Sequence, residues 1–391
     1  MNKSIKIGLF GFGVVGQGLY NVLNQTTSIN ATIHRICVKD KSKSRNVDSN
    51  LITFNKNEIL GNPDIDIIVE LIDNADEAYE IVKTALKNKK SVVSANKKMI
   101  AEHLEEFYEL QKEHGVSLLY EGAACGSIPI IRNLEEYYDN DLLTSIETIC
   151  NGTTNYILTK MSEEGLEYSE ALAGAQKSGF AESNPRLDVM AFDAKYKITI
   201  LLAHSFGLFV HEKDVFHSGI SNVSNFDFQY AAKNNASIKL IAGAYKKDNM
   251  VKAYVIPKFI PDSNMFYNVK NEFNAVQLEA AFSDKQFFYG KGAGAFPTAS
   301  AVLADISALN YQYKYEYKKH FSDTSLSFSN DVALNVYIRY KEKSQLEKLE
   351  FESIDEQHTI NQTNYIIAKV KLKSLIENNV NEWKDFFIAA L

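Results

Sequence analysis

Along the first third of the chain, short apolar runs alternate with longer stretches in which apolar residues recur every three or four positions. That alternation predicts strand and helix in turn. Ile5 to Phe10 is an unbroken apolar run of strand length, Gln17 to Leu23 suits a helix, and Thr32 to Val38 reads as a second strand. The series continues with strand Ile65 to Leu71, helix Asp76 to Lys87, strand Ser91 to Ser94, helix Glu102 to His114 and strand Val116 to Tyr120. Such a series predicts a doubly wound parallel sheet, whose ligands lie beyond the carboxyl ends of the strands.

Past Pro129 the pattern changes. Helix Ile130 to Tyr138 and strand Leu142 to Cys150 lead into a run of helices that reaches about Gly207. Within that run Leu187, Met190, Ala191, Ala194, Ile198, Leu201 and Leu202 recur at helical spacing, with Pro185 at the helix entrance, where proline is tolerated. Strands dominate next, Ile238 to Tyr245 and Val251 to Ile260 most clearly. The tail reads as strands Val332 to Tyr340, Leu346 to Phe351 and Tyr365 to Leu372, then a helix from Ser374 to Ala390. The fold class expected is α/β: an N-terminal Rossmann-type doubly wound parallel sheet over 1–130, with helix 297–311 packing back on it. An α+β substrate and dimerisation domain over 131–296 and a small α+β appendage over 325–391 follow. A chain of 391 residues is long enough for this division.

Composition narrows the function classes. Hydrophobic residues at 45% and charged residues at 23% are ordinary globular values, and a net charge of −7 argues against general affinity for nucleic acid or membrane. Tyr311 to His320 interleaves aromatic and basic residues as nucleic-acid binders do, but in an acidic chain it reads as a charged edge strand or a connector. Met1 to Ser4 run straight into the apolar Ile5 to Phe10, too short for a signal-peptide core, and no apolar run approaches the roughly 18 residues of a membrane span. Cys37, Cys125 and Cys150 form no CxxC pair and the eight histidines are scattered, so a reducing, cytoplasmic setting without a zinc site is expected.

Candidate chemistry follows the strand ends. Gly11-Phe12-Gly13-Val14-Val15-Gly16 stands between the first strand and its helix. Gly11 permits the tight turn, Gly13 lets a pyrophosphate approach the backbone, and Gly16 lets helix and strand pack closely. After the second strand, Asp40 offers an acceptor for a ribose hydroxyl, while Lys39, Lys41, Lys43 and Arg45 gather cations for a 2′-phosphate. NADP is favoured, with NAD as the alternative and a merely solvated loop as the third reading. Ala95 and Lys97 follow the strand at Ser94, placing Lys97 where it could face a nicotinamide and substrate. Thr153, in Asn151-Gly152-Thr153-Thr154, either helps cap a helix or presents a hydroxyl to a ligand. Gly290 to Pro297 forms a second glycine-rich loop. Asp193 and Lys197 share one helix face, one turn apart, and read either as a surface ion pair or as part of a site.

Taken together, GFGVVG, SANKKMIA, YEGAACGSIPII, NGTTNYIL, AESNPRLDVMAFDAKYKITIL and GKGAGAFPTASAVLAD occur in an order that resembles homoserine dehydrogenases over about residues 5 to 310. The resemblance implies interconversion of L-homoserine and L-aspartate 4-semialdehyde with NAD(P), in threonine, methionine and isoleucine biosynthesis. It implies Lys197 as general acid and base, with Lys97 able to share the proton transfer. Asp193 would hold the Lys197 amine and help bind substrate, with Glu182 taking the substrate ammonium and Asp188 and Thr153 nearby. Cofactor contacts carry over to Gly11, Phe12, Gly13, Val14, Val15, Gly16, Lys39, Ala95, Lys97, Gly179 and Gly294. A monovalent cation, Na+ or K+, is implied at Glu121, Ala124, Gly126 and Ile128. A homodimer or homotetramer is implied, and residues 325–391 would be a reduced ACT-like module. Departures from the family pattern are Cys125-Gly126-Ser127 in place of a glycine run, Ser183-Asn184 after Glu182, and Ala191 where glycine is usual. Another amino-acid dehydrogenase, or a non-catalytic NADP-binding regulator, are the alternatives. By this reading Lys197 faces the cofactor cleft, within reach of Asp193, Glu182 and Lys97.

Overall fold

The structure, a computed structural model, describes residues 4–27, 29–140, 142–321 and 326–391. Met1 to Lys3, ahead of the expected first strand, and residue 325, the start of the expected appendage, lie outside the described residues. Contacts divide the chain into two units, Met1–Asp139 with Lys291–Lys318 and Asn140–Gly290 with Lys319–Leu391.

The first unit opens with β1 (Ile5–Phe10), α1 (Val14–Gln25), β2 (Ala31–Cys37), β3 (Ile52–Thr53) and α2 (Asn57–Leu60). It continues with β4 (Ile67–Glu70), α3 (Ala75–Lys87), β5 (Ser91–Ser94), α4 (Lys97–His114), β6 (Leu118–Leu119) and α5 (Ile130–Glu136). The strands are parallel, in the order β3-β2-β1-β4-β5-β6. Winding reverses between β1 and β4, the switch point at which dinucleotides bind in this fold. Ile7, Leu9, Leu19, Ile36, Val69 and Val93 form its core. Asn74 caps α3 by accepting from the Glu77 N–H, and Asp76 and Glu77 complement the helix dipole in its first turn. The helix expected from Glu102 begins at Lys97 instead, because the Asn96 side chain caps it by accepting from the Met99 N–H at 3.1 Å.

The second unit carries β7 (Leu143–Ile149), α6 (Gly152–Glu164), α7 (Tyr168–Lys177), α8 (Arg186–Val189), α9 (Phe192–Phe206), β8 (Phe216–His217) and α10 (Asn225–Lys233). β9 (Ala236–Lys247), β10 (Met250–Pro261), β11 (Phe273–Ala280) and β12 (Asp284–Lys291) follow. The continuous helix expected from Leu187 is two helices. Ala191 takes left-handed backbone angles (φ 65°) between them, and the Val189 carbonyl, which would serve the next helical turn, accepts from the Ile220 N–H at 2.8 Å instead.

The chain returns to the first unit as α11 (Ala295–Leu309), whose Ala299, Val302 and Ile306 enter the same core as β1. The aromatic and basic stretch beyond it is an irregular connector, not an edge strand. Tyr315 and Tyr317 are buried, the Tyr317 hydroxyl meets that of Tyr120 at 2.6 Å, and the Glu135 carboxylate accepts from the Glu316 and Tyr317 N–H groups.

The tail adds β13 (Ser327–Phe328), β14 (Ala333–Tyr340), α12 (Lys343–Leu346), β15 (Phe351–Ile360), β16 (Thr363–Lys371), α13 (Leu372–Glu377) and β17 (Phe387–Ala390). The α+β character expected of this segment is present, and its strands continue the second sheet, ordered β12-β11-β7-β9-β10-β17-β14-β16-β15. Two expectations are corrected here. Leu346 to Phe351 is the end of a short helix and the approach to β15, not a strand. The helix expected over Ser374–Ala390 stops at Glu377, since Asn379 and Asp385 take positive φ and Phe387–Ala390 pairs antiparallel with β14. Sheet pairing of four buried residues outweighs the helix propensity of two alanines.

Candidate active site

In the first unit the glycine loop has the geometry its spacing demands. A side chain at Gly11 (φ 90°) would stand 2.5 Å from the Leu71 carbonyl oxygen, and one at Gly16 would stand 2.5 Å from the Gly11 carbonyl oxygen. Gly13, the residue preceding α1, faces open space. Phe12 is buried, Val14 is exposed and Val15 half-buried, and no side chain caps the start of α1. Gly294 (φ 121°) precedes α11.

Beside that loop, Glu70 closes β4 with its carboxylate fully buried. It accepts from the Ser94 hydroxyl at 2.6 Å and from the Ile72 N–H at 2.7 Å. Asn96 then donates to the Ile72 carbonyl at 3.1 Å, tying the ends of β4 and β5 together next to Ala95 and Lys97. Burial raises the Glu70 carboxyl to about 7. Lys39 is exposed and paired with Glu77 at 2.7 Å, while the Asp40 carboxylate is turned to the Ser42 N–H and hydroxyl, which hold it below its ordinary range.

Glu121 is buried at the entry to α5, and its two oxygens accept from the Ile131 and Arg132 N–H groups, each at 2.9 Å. Burial outweighs these bonds and raises the carboxyl to about 7. Gly126 (φ 58°) follows closely, and a side chain there would collide with the Gly292 carbonyl. Asp305 accepts from the Glu121 N–H at 2.9 Å and pairs with Arg132 at 3.2 Å.

In the second unit β7 ends at Cys150 and delivers Asn151 to the start of α6. The Asn151 side-chain oxygen caps that helix by accepting from the Thr154 N–H at 2.8 Å. Its amide nitrogen donates to Asp188 Oδ1 at 2.7 Å and to Asp193 Oδ2 at 2.9 Å, so one residue joins α6, α8 and α9. Lys197 Nζ lies 2.8 Å from Asp193 Oδ2 and donates to the Cys150 carbonyl at 2.6 Å. Asp193 and Lys197 are 4% and 7% exposed, which removes the surface ion-pair reading. Lys195, two residues away and therefore on another face of α9, pairs at 2.6 Å with buried Glu212. Thr153 donates its hydroxyl to the Phe180 carbonyl at 2.5 Å and so fixes the end of α7. Gly179 (φ 76°) stands open in the turn before Phe180. Glu182 is exposed and lies outside the network: its carboxylate makes no hydrogen bond or ion pair with Asn151, Asp193 or Lys197.

Residues 11–121 match the family model for the homoserine dehydrogenase NAD-binding domain, and residues 129–307 match that for homoserine dehydrogenase. Homoserine dehydrogenase of Bacillus subtilis (strain 168) is 36% identical over 316 residues, 78% of this chain and 73% of its own length. The chain belongs to the homoserine dehydrogenase family. It is thus an oxidoreductase whose first unit is a nicotinamide-dinucleotide-binding domain. The crystal structure of a homoserine dehydrogenase from Thiobacillus denitrificans superposes with a TM-score of 0.84 at 28% identity, covering 100% of this chain and 98% of that one. A hyperthermophilic archaeal homoserine dehydrogenase mutant in complex with NADPH gives 0.69 at 26% identity, covering 80% of this chain and 100% of that one.

Within this homoserine dehydrogenase fold, the structure adds two residues that the sequence left unremarked. In NGTT the capping role is read at the Gly-Thr-Thr and not at Asn151, and nothing local announces that the Asn151 amide bridges two carboxylates. Glu70 closes an apolar strand, where a carboxylate reads as the first solvated position. No helix is long and apolar enough to cross a membrane among the described residues.

Proposed function

We propose that this chain interconverts L-aspartate 4-semialdehyde and L-homoserine, with Lys197 as the general acid and base. The observation that carries the proposal is the buried ammonium of Lys197, held between Asp193 and the Cys150 carbonyl. A nicotinamide dinucleotide held at the glycine loop would supply the hydride to the aldehyde carbon, or take it from the same carbon of the alcohol. In the reducing direction Lys197 gives a proton to the carbonyl oxygen as the C–H bond forms, and in the oxidising direction the neutral amine takes the hydroxyl proton. Asp193 fixes the amine in place and balances its charge, and Asn151 fixes Asp193. Asp188 supports the site from α8, and Thr153 keeps the Phe180 turn against α6. Glu182, exposed beyond Gly179, is the acceptor for the substrate ammonium. Lys97, at the first position of α4, serves the nicotinamide end of the cofactor within the first unit.

NADP is the proposed cofactor. Lys39, Lys41, Lys43 and Arg45 follow β2, and the exposed Lys39–Glu77 pair exchanges at little cost, since such pairs contribute about 0–1 kcal/mol. Glu121 with the carbonyls of Ala124, Gly126 and Ile128 offers an all-oxygen donor set suited to a hard cation such as Na+ or K+. A buried carboxyl that burial alone drives toward protonation fits such an ion, which would keep it charged. The chain is further proposed to act in amino-acid biosynthesis in the cytoplasm, as a homodimer or homotetramer.

The test is consumption of NADPH and NADH with aspartate 4-semialdehyde, in KCl, NaCl and choline chloride. Turnover with NADPH preferred supports the proposal, and NADPH binding without turnover overturns it in favour of a regulator.

A further inference from the structure

The turn that brings Asp188 and Asp193 together on the Asn151 amide, with Asp193 on Lys197, is held from the far end of the chain. Between α8 and α9 the backbone passes through Ala191 in left-handed geometry (φ 65°, ψ 17°), a conformation that brings a Cβ too close to the following carbonyl oxygen and is disfavoured for any residue but glycine. Ala191 is fully buried, and Asp188 and Asp193 flank it. The turn is sustained by what surrounds it.

Asn381 supplies the junction. Its side chain is 7% exposed, its amide nitrogen donates to the Met190 carbonyl at 3.0 Å, and its oxygen accepts from the Gly219 N–H at 2.9 Å. Gly219 itself presses on the turn so closely that a Cβ there would stand 2.1 Å from the Val189 carbonyl oxygen. The neighbours of Asn381 act in the same place. Glu382 pairs with Arg186 of α8 at 2.7 Å, and the Trp383 carbonyl accepts from Asn222 at 2.8 Å. One amide thus satisfies two backbone groups that would otherwise be buried without partners, and it fixes the Met190–Ala191 peptide.

We propose that Asn381 is a positioning residue for the reaction: through Met190 it sets the Ala191 turn, and with it the alignment of Asp188 and Asp193 on Lys197. The proposal rests on the assignment of Lys197 as acid and base. It makes the tail a working part of the site.

The test is steady-state kinetics with NADPH and aspartate 4-semialdehyde well below the unfolding temperature, alongside NADPH affinity by fluorescence. Asn381→Ala removes both bonds. Asn381→Asp keeps the acceptor for Gly219 and sets an oxygen against the Met190 carbonyl, so it serves if the alanine variant does not fold. Both variants should lose roughly 10- to 100-fold in kcat, the effect of a small misplacement at a reacting centre, with NADPH affinity retained. Glycine takes left-handed angles without strain, so adding Ala191→Gly to Asn381→Ala should recover much of the kcat. Unchanged kcat in both single variants overturns the proposal, as does an Ala191→Gly combination that recovers thermal stability but no turnover. Lys197→Met in the same assay separates the two readings. If it is inactive while the Asn381 variants are fully active, the positioning role alone fails; if it turns over normally, the acid and base assignment fails.

Discussion

Lys195 and Lys197 leave α9 on different faces, and each ends on a buried carboxylate. The Lys195–Glu212 pair is closed upon itself: both side chains are 8% exposed, and the ammonium lies over the rings of Phe192 and Tyr196. His217, its ring tilted against that of Phe192 with centroids 4.6 Å apart, is lowered to about 3 by burial first and by the Lys195 charge second, so it stays neutral. The Lys197–Asp193 pair opens into a network in which the ammonium also meets the Cys150 carbonyl and the carboxylate is shared with Asn151, which holds Asp188 as well. Burial and an ion pair are therefore common to structure and chemistry. What separates them is the number of elements that converge on the pair: β7, α6, α8 and α9 meet at Lys197.

Replacing each lysine should break this symmetry in opposite ways. Lys197→Met should lower kcat roughly 10²–10⁴-fold, the worth of a positioned acid, measured as NADPH consumption at saturating semialdehyde. Lys195→Met leaves Glu212 buried without its cation and should cost about 3–5 kcal/mol of stability. Thermal unfolding would show it, while kcat measured well below the unfolding temperature stays near that of the unaltered chain. Loss of turnover in both, in proportion to lost stability, would make the two faces equivalent.

A smaller effect belongs to Glu70. Its carboxyl is raised to about 7 from an ordinary 4.5. Between those values the folded chain holds a proton that the unfolded chain has released, so stability falls as pH rises through that window and levels off above it. Glu70→Gln removes the titration. Above pH 7 the variant should be more stable than the unaltered chain by up to about 3 kcal/mol, seen as a higher unfolding temperature, and the two should converge as pH falls below the ordinary 4.5. Parallel curves from pH 5 to 8 would show that Glu70 is charged at no cost in the fold.

Legibility from sequence follows the range of the interaction. Gly11, Gly13 and Gly16 answer to turn, approach and packing within a few residues, so their roles could be assigned before the structure, and the i,i+4 spacing of Asp193 and Lys197 is a local fact. Asn151 is half legible: its capping bond to Thr154 is local, whereas its bonds to Asp188 and Asp193 span 37 and 42 positions. The break at Ala191 was hidden because apolar spacing persists across it, and only carbonyls claimed from elsewhere reveal why the helix stops. Phe387 to Ala390 looked helical because four residues are too few to show a strand period.

If Lys197 moves the proton, the pH dependence of homoserine oxidation must show it. A lysine amine, ordinarily near 10.4, must be neutral to accept the hydroxyl proton. The oxidation rate of the unaltered chain should rise steeply into the alkaline range, and Lys197→Met should abolish the rise along with most of the rate. A profile that is flat in the unaltered chain, or one that keeps its shape and height in the variant, would contradict it.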